Sequence, residues 1–569
     1  MMQTAVLYLV ILLATVVMLV KPLGWYIAQV YSDKPCVLNS IFRPFENLIL
    51  RICGIDARHE MDWKEYLTAM LLLNMLGLIL LYLIQRLQFL LPFNPEAMPA
   101  VAADLAFNTA VSFVSNTDWQ AYAGEASLSY FTQMFGLTVQ NFISAASGMS
   151  LLIAFTRGLT RQETTNLGNF WSDTLRGVMY ILLPLAILLA IFLTSQGVIQ
   201  NFKPYEKVHT LQTGEIQTIA MGPVASQIAI KQIGSNGGGF FNTNSAHPFE
   251  NPTPLTNLIS LIAVLLIPAA LCYTFGIMIK DRRQGWIILI SMLVIFIPCV
   301  CATVTFELQG NPTFKTIGLG AAENMEGKET RFGVIGSAIY ATATTAVSNG
   351  SVNSMLDSFT PLGGMVCLML IHLGEIVFGG VGSGLYGMVM LVIITVFVSG
   401  LMVGRTPEYL GKKIEPFDIK MAVVTVLVMP LVVLLLTAIA VVTPAGLSAV
   451  YNPGAHGFTE VLYAFSSFGG NNGSALAGLN TNNFFYNISG AIVMLISRYW
   501  IAIATLAVAG SLVQKKRVPI SPGTLETHTP LFLLLLIGVI FILGALSFFP
   551  GLALGPIAEH LMLWGKYVY

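Results

Sequence analysis

Apolar residues in this chain fall in long, nearly uninterrupted runs separated by polar stretches, rather than in the stripes or alternation of a soluble fold. A membrane-spanning helix needs about 20 mostly apolar residues. Ten runs meet or approach that length: residues 4–20, 66–91, 130–155, 174–197, 255–279, 285–305, 363–403, 421–443, 487–513 and 530–555. The seventh is too long for one span and contains the glycine-rich stretch Phe378-Gly-Gly-Val-Gly-Ser-Gly384, so it is expected to be a broken helix. The predicted fold class is therefore an all-α polytopic membrane protein of about ten transmembrane helices.

Between the runs, four long segments each hold a shorter apolar stretch that ends in a cluster of Gly, Asn, Ser and Thr: Val114-Ser-Asn-Thr-Asp118, Gly234-Ser-Asn-Gly-Gly238, Val347-Ser-Asn-Gly-Ser351 and Gly470-Asn-Asn-Gly-Ser474. Asn116, Asn236, Asn349 and Asn472 recur at intervals of roughly 110 to 125 residues, the length of a span, a short element and a second span. Short helices are expected before each cluster, over 103–114, 223–234, 332–347 and 458–467. The chain divides accordingly into an N-terminal helix and loop (1–62), four pore repeats (63–165, 166–282, 283–413 and 414–518) and a C-terminal helix (519–569).

Re-entrant backbone at membrane depth persists only where protein buries it or where it lines a water-filled path. Four short helices entering from one side would point their partially negative C-terminal ends at one place, which favours a cation. The loops that follow could line backbone carbonyls toward a common axis and replace an ion's hydration shell, with glycine supplying the dihedrals. One Asn-Gly pair is equally an ordinary tight turn; four in register, on one side, favour the filter. The candidate ion-site residues are Ser115, Asn116 and Thr117; Ser235, Asn236 and Gly237; Ser348, Asn349 and Gly350; and Asn471, Asn472 and Gly473. Thr117 replaces the glycine of the other repeats, so the filter is expected to be asymmetric. Asp118 and Gln120 follow at the mouth, as carboxylate and amide near the ion entrance or as solvated loop residues.

Composition removes other classes. The 569 residues are 55% hydrophobic and 10% charged, with a mean hydropathy of +0.75. Lys plus Arg and Asp plus Glu number 28 each, so no basic excess points to nucleic acid. Six cysteines show no paired spacing, and seven histidines form no His/Cys cluster, which argues against a metal site. No G-x-x-x-x-G-K-[ST] loop or Asp-Lys-Thr-Gly string is present, so no ATP-hydrolysing site is expected in this chain. The G-x-G-x-x-G at Gly382–Gly387 lies inside an apolar run without a strand before it and reads as a hinge. Lys and Arg concentrate in the segments that lie inside if the N-terminus is outside, so both termini are expected outside.

Charged residues within spans are costly and mark functional positions. Arg498 is expected deep in the bilayer as a pore-facing barrier below the filter or as half of an ion pair. Glu375 precedes the glycine break and could pair with a base or touch the ion path. Arg405, nearer the edge, either snorkels to the interface or serves a gate or subunit contact. Lys231, inside the second pore helix, is an oddity beside a cation site, expected to turn toward loop carbonyls or the outer interface.

Several long strings match a known family along essentially the whole chain: Asn108-Thr-Ala-Val-Ser-Phe-Val-Ser-Asn-Thr-Asp-Trp-Gln120, Asn236-Gly-Gly-Gly-Phe-Phe-Asn242, His247-Pro-Phe-Glu-Asn-Pro252, Asn324-Met-Glu-Gly-Lys-Glu329, the stretch from Gly374 to Gly387, and Gly404-Arg-Thr-Pro-Glu-Tyr-Leu-Gly-Lys-Lys413. The chain resembles the KdpA family, the potassium-binding subunits of bacterial Kdp P-type ATPases. That resemblance implies the superfamily fold of potassium transporters, with potassium as the transported ion and no other cofactor. It also implies a bacterial inner-membrane location and three partners: an ATP-hydrolysing P-type B subunit, a single-span C subunit and a small F subunit. In that family, ions are thought to pass sideways from the filter to the B subunit. Two alternatives remain: a Trk/Ktr-type channel-like transporter with a cytosolic nucleotide-binding partner, and a membrane scaffold without ion dependence.

Overall fold

The computed structural model describes residues 2–319, 323–404, 406–518 and 525–565. Among these, ten helices are long and apolar enough to cross a membrane. They are Met2–Tyr31, Trp63–Leu87, the segment Thr132–Thr160, the segment Phe170–Ser195, Pro254–Met278, Arg282–Gln309, Ser383–Val403, Pro416–Val442, Phe484–Gln514 and Pro530–Leu552. The protein is a multi-pass membrane protein. The seventh run is two helices, Pro361–His372 and Ser383–Val403, separated by the glycine-rich break.

Helix starts carry their own stop signals. Asp62 accepts from the backbone N–H groups of Lys64 and Glu65, and Glu65 answers its N–H, a reciprocal cap on the second span. Thr529 caps the last span ahead of Pro530. Burial sorts the spans: 83% of the apolar window of the third span is enclosed by protein, but only 17% of the first and 22% of the tenth. The outer spans therefore leave most of their apolar surface outside the protein interior, and the inner ones are enclosed by it.

The four short helices are Ala103–Val114, Val224–Ile233, Gly333–Val347 and Ala455–Gly469. Their N-termini define what we call the mouth face. At the opposite face, the buried ammonium of Lys412 donates to the carbonyls of Arg161 (2.5 Å), Leu512 (2.9 Å) and Lys515 (2.7 Å). One lysine thus satisfies the C-terminal ends of the third and ninth spans and pins the hairpin Glu408–Tyr409/Lys412–Lys413 beneath the bundle. Two further elements had no signature in the run pattern: a helix over Asn39–Ile52 between the first two spans, and a hairpin pairing Glu206–His209 with Ile216–Ile219.

Candidate ion-binding site

Each short helix ends the same way. The backbone N–H of Thr117 donates to the carbonyl of Ser112 (2.9 Å), that of Asn236 to Lys231 (2.9 Å), that of Asn349 to Thr344 (2.8 Å) and that of Asn472 to Ser467 (2.9 Å). The residue before each turns left-handed: φ is 63° at Asn116, 51° at Ser235, 59° at Ser348 and 47° at Asn471. A left-handed residue at a helix end redirects the chain, and Asn tolerates it better than most side chains. These bonds fix the true register of the repeat. Thr117, not Asn116, stands level with Asn236, Asn349 and Asn472, and Asp118 takes the place of Gly237, Gly350 and Gly473. Aligning the first cluster on its Asn is therefore one residue early.

The four loops close into a ring. A Cβ added at Gly237 would lie 2.8 Å from Gly350 Cα and 3.1 Å from the Thr117 carbonyl oxygen. One at Gly350 would lie 2.6 Å from the Asn472 carbonyl oxygen and 2.9 Å from Gly473 Cα. One at Gly473, where φ is 91°, would lie 2.0 Å from the Thr117 carbonyl oxygen. Each loop touches the next, the fourth returns to the first, and glycine is required because backbone occupies the space a side chain would take.

Side chains brace this ring from outside it. Ser115, the last turn of the first helix, shares a hydroxyl contact of 2.7 Å with Thr117, whose Oγ1 also accepts from Asn471 Nδ2 at 2.9 Å. Asn116 donates to the Ser235 carbonyl and accepts from Asn236 Nδ2 at 2.7 Å and from Ser144. Ser348 donates to the Gly470 carbonyl at 2.5 Å. In the third and fourth repeats one device recurs: Asn349 Oδ1 accepts from Ser351 N (2.7 Å) and Asn472 Oδ1 from Ser474 N (3.0 Å), while Tyr340 and Tyr463 reach Ser351 and Ser474, each at 2.7 Å. Asp118 is fully buried rather than a solvated mouth residue, and its carboxylate accepts from Gly237 N at 3.1 Å. Gln120 Oε1 accepts from Gly239 N at 2.8 Å. Both residues join repeat one to repeat two, at the floor of a mouth-side cavity of 720 Å³ also lined by Gly238, Gly350 and Gly473.

Lys231 turns neither to loop carbonyls nor to the interface. Its ammonium donates to Asn244 Oδ1 (2.7 Å), Ser245 Oγ (3.2 Å) and Glu250 Oε2 (3.0 Å), all buried. Asn244 in turn donates to the Gly238 carbonyl at 2.5 Å, so the pair holds the second loop from behind. A second enclosed pair, Lys328 and Glu307 at 2.8 Å, ties the segment ahead of the third pore helix to the sixth span. Spacing alone had not revealed either pair; Glu250 and Lys328 do lie within strings that carry the family resemblance.

Below the ring is a cavity of 80 Å³ lined by Gly470, Asn471, Ser383, Glu375, Arg498 and their neighbours. Arg498 Nη1 stands 4.0 Å from Glu375 Oε2, so the two expected charges face each other loosely across this space. The break that carries Glu375 is pressed on the third span: a Cβ at Gly382, where φ is 90°, would lie 2.2 Å from the Gly148 carbonyl oxygen. Arg405 lies outside the described residues. The histidines do not all stand apart from other ligand-type groups: atoms of Asp357, His456 and Glu460 come within 4.8 Å of one another.

Four span–helix–loop–span units closing one ring define a membrane transporter of the re-entrant-loop class. The solved structure of the potassium transporter TrkH from Vibrio parahaemolyticus shares this fold, with a TM-score of 0.52 at 14% identity, covering 85% of this chain and 96% of that one. Residues 10–561 match the family model described as "Potassium-transporting ATPase A subunit", and the chain belongs to that family. Relatives named "Potassium-transporting ATPase potassium-binding subunit" include those of Herpetosiphon aurantiacus, 58% identical, and Methylococcus capsulatus, 55% identical. Each comparison covers 98% of both chains.

Proposed function

We propose that this chain is the potassium-binding, non-catalytic pore subunit of an ATP-driven potassium pump. It selects K⁺ at the ring formed by Thr117, Asn236–Gly237, Asn349–Gly350 and Asn472–Gly473. The closed ring carries this reading, because it brings four helix C-termini and the carbonyls of Thr117 and Asn472 to one place. The names of the relatives support potassium as the ion and an ATPase complex as the setting. The mouth face is outside, with both termini on that side, in a bacterial inner membrane. The ion descends into the Glu375–Arg498 cavity and leaves toward an ATP-hydrolysing P-type subunit, with the single-span and small subunits completing the complex.

The test is purification of the chain with its co-purifying subunits and measurement of ATP hydrolysis against potassium concentration, for the wild type and Gly350→Ala. Potassium-stimulated hydrolysis that needs far more potassium in Gly350→Ala supports the proposal. Absence of any ATP-hydrolysing partner, or identical curves for both proteins, contradicts it.

A further inference from the structure

At the mouth face, away from the ring, four titratable side chains from three parts of the chain meet. His456 and Glu460 stand on the first two turns of the fourth pore helix, Ala455–Gly469. Asp357 lies on the short turn Leu356–Ser358 that follows the third filter loop, and Glu559 lies on the last helix, Ala558–Leu563. His456 Nε2 is 3.1 Å from Asp357 Oδ1 and 3.6 Å from Glu460 Oε1, while Nδ1 is 2.9 Å from Glu559 Oε1. Asn452 Nδ2 donates to Glu460 Oε1 at 2.6 Å.

We propose that His456 Nε2 and the carboxylates of Asp357 and Glu460 form a binding site for a divalent cation of the zinc class, which ties the fourth pore helix to the loop of repeat three. The spacing fits. Tetrahedral ligands at about 2.0–2.1 Å from zinc lie about 3.3–3.4 Å from each other, and the two observed separations from Nε2, 3.1 and 3.6 Å, straddle that value. The longer of them is outside hydrogen-bond range, so an imidazolium proton would satisfy Asp357 but not Glu460.

Asp357 and Glu559 hold the imidazole on both nitrogens and push its pKa up to about 10, so a metal at this site would have to displace the Nε2 proton. The nitrogen of His456 that would not bind the metal is held by Glu559, the carboxylate–histidine arrangement that orients a ligating imidazole. Glu460 is fully buried, its Oε1 is oriented by Asn452, and its Oε2 has no hydrogen-bond partner among the described residues. A buried carboxylate oxygen without a donor is costly, and a cation against this carboxylate would offset that cost. One imidazole with carboxylate oxygens suits zinc better than magnesium or calcium, which prefer all-oxygen sites. His456-Gly-Phe-Thr-Glu460 puts two of the ligands one helical turn apart, which is the only trace of the site in the sequence.

The experiment uses the assembled complex, stripped with EDTA and then freed of it. Zinc binding is measured by titration calorimetry, and melting temperature is followed with Zn²⁺ and with Mg²⁺, for the wild type, Asp357→Asn and Glu559→Gln. The proposal expects one zinc per chain in the wild type that Asp357→Asn lacks. Glu559→Gln, which alters only the group orienting the imidazole, should bind that zinc about 10–100-fold more weakly. Zinc, but not magnesium, should raise the wild-type melting temperature. Wild-type complex that takes up no zinc, or equal uptake and affinity in all three proteins, overturns the proposal and leaves His456 as an ion-paired residue.

Discussion

Gly237 shows most sharply how little freedom the ring allows. Its missing side chain is what lets Gly350 and the Thr117 carbonyl close on it, and its N–H is already held by Asp118. Gly237→Asp would push a bulky carboxylate into Gly350 and the Thr117 carbonyl. If the ring is the proposed filter, its carbonyl spacing would be disturbed, and a carboxylate field discriminates less by size. Ion-stimulated ATP hydrolysis of the assembled variant should need more potassium and should separate potassium from rubidium less well than wild type; unchanged curves for both ions would remove Gly237 from the filter. Lys231 makes a different prediction. Lys231→Met strands Glu250 in a closed interior, and breaking a buried pair from one side costs about 3–5 kcal/mol. The double variant Lys231→Met/Glu250→Gln should melt at a higher temperature than Lys231→Met alone, and equal melting of the two would show that the pair is not coupled.

At the scale of elements, the broken seventh helix and the ninth span meet below the filter. Gly382 must be left-handed and must clear the Gly148 carbonyl, so Gly382→Ala adds about 1–2 kcal/mol of backbone strain to a clash. Thermal melting of the complex should fall accordingly, and a neutral result would mean that the break can shift on its neighbour. Arg498 faces Glu375 across the cavity under Asn471. Arg498→Ala removes a cation from that path and should weaken the coupling between potassium occupancy and ATP hydrolysis. Potassium stimulation equal to wild type would argue against a role in the path.

Which elements could be read in advance follows from what each depends on. All ten spans were legible because lipid demands a long apolar run and nothing else supplies one. The first pore helix is legible to its ends, Ala103–Val114; the fourth, expected over 458–467, runs Ala455–Gly469, because its first turn carries His456 rather than apolar residues. The helix Asn39–Ile52 was not visible, since a short amphipathic helix outside the bilayer leaves no long run. The ring residues were legible from repetition. Their register in the first repeat was not, because the helix end, rather than the asparagine, sets where the chain turns. The charged pairs Lys231–Glu250 and Lys328–Glu307 depend on three-dimensional closure, and spacing along the chain carries no sign of it.

Across the whole molecule, four copies of one unit close a single ring, and the copies are not identical. The first repeat contributes Thr117 and Asp118 where the others contribute asparagine and glycine, and the third contributes the broken helix under the ring. The chain belongs to a family of ATPase A subunits, and in the function proposed above the ring is where the ion of that pump loses its water. A density map of the assembled complex in potassium, compared with one in an excess of a large organic cation, tests this most directly. The account predicts one ion peak on the ring axis, level with Thr117, Asn236, Asn349 and Asn472 and surrounded mainly by backbone oxygens, that disappears on exchange. Ion density only elsewhere in the chain, with the ring empty or its loops turned away from the axis, would contradict it.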